Sequence, residues 1–143
     1  MDMKLIDRIK NRKLIRETLK LQGRGKFKES VKHAVDGVDY TLSHERNFKI
    51  EITAAVLVCF ASIYFKVNTT EWIILLLTIA SVLTLEIINT SIERCVDLVT
   101  KEYEDLAKIA KDTSAGAVFV MSLFSVAIGI CIFLPKIIEL IKK

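Results

Sequence analysis

A chain of 143 residues that is 52% hydrophobic, with one proline and five glycines, is too apolar for an ordinary soluble domain. Charged residues still make up 27% of it, with a net charge of +4, so the two classes must be segregated along the chain. They are: residues 1–49 hold 13 of the 21 lysines and arginines, and long apolar runs fill most of the remainder.

Residues 1–25 read as a basic extension, loosely ordered or lying on a surface, with Q-G-R-G at 22–25 as a break. No signal peptide is expected, because no apolar core follows the basic start before residue 50. From about 26 to 44, Phe27, Val31, Ala34, Val35, Val38 and Leu42 fall within roughly one 100° arc of a helix. The opposite face holds Lys28, Glu29, Lys32, Asp36, Asp39 and Tyr40, as expected of an amphipathic helix in a membrane interface.

Three candidate membrane spans follow, at about 50–67, 72–99 and 114–134, within a domain of residues 26–143. The first is marginal, with Glu51 near its start and Lys66 near its end, and a buried core helix is its alternative. Asn68, Thr69 and Thr70 can cap the second, with Glu71 and Trp72 suiting its positive end and the interface. The segment from 100 to 110 is expected to continue as helix, and Asp112, Thr113 and Ser114 offer caps for the third span. Cys59, Cys95 and Cys131 fall one per span without ligand spacing, so neither a disulfide framework nor a zinc site is suggested. Basic residues in the N-terminal segment and in 101–111 place both on the cytoplasmic side; Lys136, Lys142 and Lys143 at the other end run mildly against that rule.

The second span carries the chemistry. From Trp72, a hydrocarbon core of about 30 Å runs out near Ile92, leaving Glu86 about 9 Å inside its border. Asn89, Glu93 and Asp97 are offset from Glu86 by 3, 7 and 11, so all four share one helical stripe. Such a stripe must face protein or a pocket, since polar groups at depth are costly against lipid. Polar glue between helices would not need three mutually repelling carboxylates, and a proton or ion pathway would want ionisable groups through the whole depth. Carboxylates holding Mg²⁺ near the interface, with one of them acting as a base, fit the depth gradient best.

The pattern E86-x-x-N89-x-x-x-E93-x-x-x-D97, followed by E102-Y103 and A110-K111-D112-x-S-A-G-A-V, resembles the signature of the bacterial integral-membrane diacylglycerol and undecaprenol kinases. The resemblance extends upstream through Gly37 and E45-R-N-F48-x-x-E51 and covers about residues 26–134. It implies an all-α homotrimer in the bacterial plasma membrane, each subunit having an interfacial helix and three spans, that moves the ATP γ-phosphate to a lipid alcohol. It implies Glu86 as general base, Glu45 and Glu93 as Mg²⁺ ligands, and Asn89 as support for substrate or phosphate. Lys111 and Asp112 would contact the nucleotide, Glu102, Tyr103 and Glu104 its adenosine, and Lys26 its basic ATP side. His33 stands where the diacylglycerol-type enzymes have an aromatic. The H-E-R-N-F and S-A-G-A-V forms look like the undecaprenol branch, and Glu51 like the diacylglycerol branch. No nucleic-acid partner is expected, and a non-enzymatic assembly or transport subunit is the alternative from another class.

Overall fold

The computed structural model describes residues 26–142, so the reading of residues 1–25 as a basic extension lies outside the described residues. Among the described residues the regular elements are all helices: α1 over 26–44, α2 Arg46–Tyr64, α3 Thr69–Val99 and α4 Asp105–Ile141. The chain divides into two compact units, the second beginning at Thr41. In the first, Phe27, Val31, Val35 and Val38 are all exposed, leaving the apolar stripe of α1 uncovered in the single chain.

In the second unit, α3 is the central element, packing along α4 and, over a shorter length, against α2. All three helices are long and apolar enough to cross a membrane. At 31 and 37 residues, α3 and α4 are about 46 and 55 Å long, against a hydrocarbon core of about 30 Å. Each is therefore long enough to extend beyond that core at one end or both.

The helices run past or stop short of the expected span limits at several places, α3 starting at Thr69 rather than 72 and α4 ending at Ile141 rather than 134. α2 starts at Arg46 rather than about 50, after Glu45 in extended backbone, and stops at Tyr64 rather than 67. Its end is set by Lys66, whose φ of 51° lies in the left-handed region. Val67 N–H then reaches back to Ser62 O (3.0 Å) and Lys66 N–H to Ile63 O (3.2 Å), the paired bonds of a Schellman cap. This turn drops Val67 into the apolar cluster with Leu75 and Ile132, against which Val58, Phe65, Trp72, Ile128 and Phe133 pack.

The segment after α3 does not continue as helix. Thr100 is extended, its Oγ1 accepts from Glu102 N–H (3.1 Å), and the helical path resumes only at Asp105. Consequently α4 starts nine residues earlier than the expected 114, on the helix-forming run D-L-A-K-I-A, and Asp112, Thr113 and Ser114 are interior residues rather than caps.

The start of α3 follows its sequence signal. Asn68 Oδ1 accepts from Glu71 N–H (3.0 Å) while Glu71 Oε2 accepts from Asn68 N–H (2.9 Å), a reciprocal capping box. Lys136 of α4 adds an ion pair to the same oxygen at 3.0 Å, which gives that lysine a local partner. Asn68→Ala should cost about 1 kcal/mol, read as a lower thermal unfolding midpoint in detergent with the helical content unchanged. An unshifted midpoint would show that packing alone holds this end.

Candidate active site

The deeper half of the polar stripe of α3, Glu86 and Asn89, faces the protein interior, while Glu93 is half-buried and Asp97 opens to solvent. Glu86, Asn89 and Thr90 are 2%, 7% and 4% exposed, which among so many exposed apolar side chains marks where the fold has spent its burial. Glu86 lines a cavity of about 360 Å³ with Asn47, Ile50 and Glu51 from α2, Asn89 from α3, and Ala115, Val118, Phe119 and Ser122 from α4. One wall is acidic and amidic, the other apolar. Deeper along the bundle, a second cavity of about 250 Å³ shares Ile50, Glu51 and Ser122 and is otherwise mostly apolar, running to Gly129.

Charge is organised in two layers. At the inner layer, Glu86 feels the charge of Glu93 beside it and of Glu45 from the layer above, and Glu51 feels that of Glu86. Among the described residues, Glu51, Glu86 and Glu93 have no ion-pair partner. One buried oxygen of Glu51, Oε2, has no hydrogen-bond partner either. At the outer layer the acids are matched: Arg94 Nη2 meets Glu45 Oε1 at 2.7 Å, Arg94 Nη1 lies 3.8 Å from Asp97 Oδ2, and Lys111 Nζ meets Asp97 Oδ1 at 2.5 Å. This chain of contacts ties the start of α2 to α3 and α3 to α4.

Asn89 joins the layers. Its Nδ2 donates to Glu93 Oε1 (3.2 Å), and its Oδ1 accepts from Ser114 Oγ of α4 (2.7 Å). Beyond it, Glu102, Tyr103, Glu104, Lys111 and Asp112 come together around a pocket of about 230 Å³ with Asp97 and Lys108. The break at 100–104 makes that pocket, because a continuous helix would have pointed these side chains apart. Lys26 and His33 belong to the first unit, where His33 Nδ1 lies 3.9 Å from Asp36 Oδ2.

Mg²⁺ takes hard oxygen ligands, commonly one or two carboxylates with water and substrate phosphates completing the shell. The carboxylates gathered around Glu86, with their surplus of negative charge, fit that chemistry. Among the described residues no three His, Cys, Asp or Glu side chains form a group that could hold a metal ion by themselves.

Three contributors escaped the sequence reading. Arg94 was legible only as the one cation inside an acidic stretch, three residues before Asp97. Ser114 reads as a cap within the S-A-G-A-V motif, and Glu51 as a charge near the start of the first span and a branch marker, neither with a role in the site.

Comparison with known proteins assigns the family. The family model described as prokaryotic diacylglycerol kinase matches residues 32–133. An undecaprenol kinase of Bacillus subtilis is 42% identical over 112 residues, covering 78% of this chain and 91% of that protein. A diacylglycerol kinase of Synechocystis sp. is 38% identical over 112 residues, covering 78% of this chain and 64% of the relative. A diacylglycerol kinase of Helicobacter pylori is 28% identical over 105 residues, covering 73% and 82%. With its apolar helices and its buried acidic stripe, the chain belongs to the prokaryotic diacylglycerol kinase family, as a membrane-embedded lipid kinase.

Proposed function

We propose that this kinase transfers the γ-phosphate of ATP to undecaprenol in preference to diacylglycerol, with Glu86 as the general base. The observation that carries the mechanism is the burial of Glu86 in a cavity half acidic and half apolar, one layer below the ion pairs that reach solvent. A lipid alcohol approaches such a place from the hydrocarbon side, and a nucleotide approaches from the water side.

In this reading the lipid hydroxyl oxygen attacks the γ-phosphorus, its proton passes to Glu86, and ADP leaves toward the pocket at Glu102–Asp112. Glu45 and Glu93 would hold Mg²⁺, which when bound neutralises charge on the phosphates. Asn89 keeps Glu93 in place and supports the phosphate. Lys111 offers the leaving side a cation, and in doing so the phosphates compete with Asp97 for it. Asp112 contacts the nucleotide, with Glu102, Tyr103 and Glu104 on its adenosine. Lys26 and His33 are proposed on the nucleotide side from the resemblance.

The apolar face of α1, uncovered in the single chain, supports an interfacial placement of that helix, and the basic residues of the N-terminal segment and of 101–111 support the cytoplasmic side. The many exposed apolar residues of α2 to α4 support lipid contact and a homotrimer.

The preference for undecaprenol is supported by the H-E-R-N-F and S-A-G-A-V forms and by the more similar of the two relatives above 30% identity. Radiolabelled ATP offered with each lipid in mixed micelles should give the higher kcat/KM with undecaprenol. A clear preference for diacylglycerol would reverse the branch and leave the reaction class intact.

A further inference from the structure

We infer that Ser114 is a positioning residue of this site: its hydroxyl fixes the Asn89 amide so that the amide in turn fixes the Glu93 carboxylate. The inference rests on the kinase reading above for its kinetic test alone.

Asn89 and Ser114 are 7% and 8% exposed, so neither can turn to bulk water for a partner. A carboxylate only accepts, so Glu93 Oε1 at 3.2 Å selects the Nδ2 side of the amide and sends Oδ1 toward α4. The group that meets Oδ1 must donate, and Ser114 Oγ, 2.7 Å away, does so. The amide orientation is thus set from both ends. Without the hydroxyl, Oδ1 would be buried with no donor, and the amide would be free to rotate away from Glu93.

The hydroxyl also lies 2.9 Å from Lys111 O, one turn earlier on α4, and its single proton can serve only one of these acceptors at a time. Because Lys111 Nζ grips Asp97 on the same α3 stripe, α4 contacts that stripe at two levels, Ser114 on Asn89 and Lys111 on Asp97. Ser114 therefore links the proposed metal-side carboxylate to the turn that carries the leaving-side cation.

Ser114→Thr keeps the hydroxyl, Ser114→Cys keeps nearly the volume with a poor donor, and Ser114→Ala keeps neither. A positioning role groups Thr with the wild type and Cys with Ala; a packing role groups Cys with the wild type. The chain has four asparagines, at 11, 47, 68 and 89, so ¹⁵N-asparagine labelling yields four side-chain amide pairs, with that of Asn89 identified by its loss in Asn89→Asp. We expect the Asn89 pair to shift or broaden in the Ala and Cys variants and to hold in Thr. We also expect the Mg²⁺ concentration for half-maximal activity to rise roughly 10-fold in Ala and Cys alone. An unmoved Asn89 pair in Ser114→Ala, or a Cys variant matching the wild type, overturns the inference. Should no lipid alcohol support phosphoryl transfer in the unaltered protein, the kinase reading falls, and the amide signals decide on Ser114 by themselves.

Discussion

Glu86→Gln should lower kcat by about 10² to 10⁴-fold, or about 3 to 5 kcal/mol of barrier, while the dissociation constant for ATP stays near that of the wild type. The reason lies in the layering. Glu86 sits 2% exposed on the cavity shared by α2, α3 and α4, whereas Glu102 to Glu104, Lys111 and Asp112 line a separate pocket. Glutamine retains the volume and can hydrogen-bond, so the cavity keeps its shape, but it cannot accept the proton of a lipid hydroxyl. Rapid-quench measurement of kcat and equilibrium nucleotide binding together test this. A kcat within a few-fold of wild type removes Glu86 as the base; loss of ATP affinity alongside kcat moves it to the metal site.

Glu93→Gln should also nearly silence the enzyme, by about 10² to 10³-fold or about 3 to 4 kcal/mol, through the metal rather than the proton. Glutamine at 93 could still accept from Asn89 Nδ2, so helix packing and oligomeric state should survive. What would be lost is one negative charge among carboxylates that gather without a described cation of their own at Glu51, Glu86 and Glu93. Activity measured across a Mg²⁺ titration separates the two roles. A Glu93→Gln enzyme with wild-type rate and unchanged Mg²⁺ dependence would reduce the stripe to interhelical glue.

The parts of this molecule that could be read from its sequence are those governed by near neighbours. The capping box at Asn68 and Glu71 needs only four consecutive residues, and the shared face of Glu86, Asn89, Glu93 and Asp97 follows from helical spacing. The break at Thr100 was invisible because the flanking residues all tolerate a helix, and the bond from Glu102 N–H to the threonine hydroxyl that marks the turn carries no sequence signature of its own. Ser114 escaped for the opposite reason: its local setting suits a helix cap, and its role depends on Asn89, 25 residues away. Arg94 likewise acts mainly on Glu45, 49 residues upstream, a pairing no periodicity encodes.

The far end of α3 gives the bundle a mechanical polarity. There the half-buried Glu71–Lys136 pair shares its oxygen with a backbone cap and stands beside the cluster of Val67, Leu75 and Ile132. At the opposite end, α2, α3 and α4 are laced by Arg94 and Lys111 pairs that are open to solvent, and mobile ions with a screening length of about 10 Å at 0.1 M weaken exposed pairs first. Rising ionic strength is therefore expected to weaken the exposed Lys111–Asp97 pair before the Glu71–Lys136 end, where apolar packing adds to the ion pair.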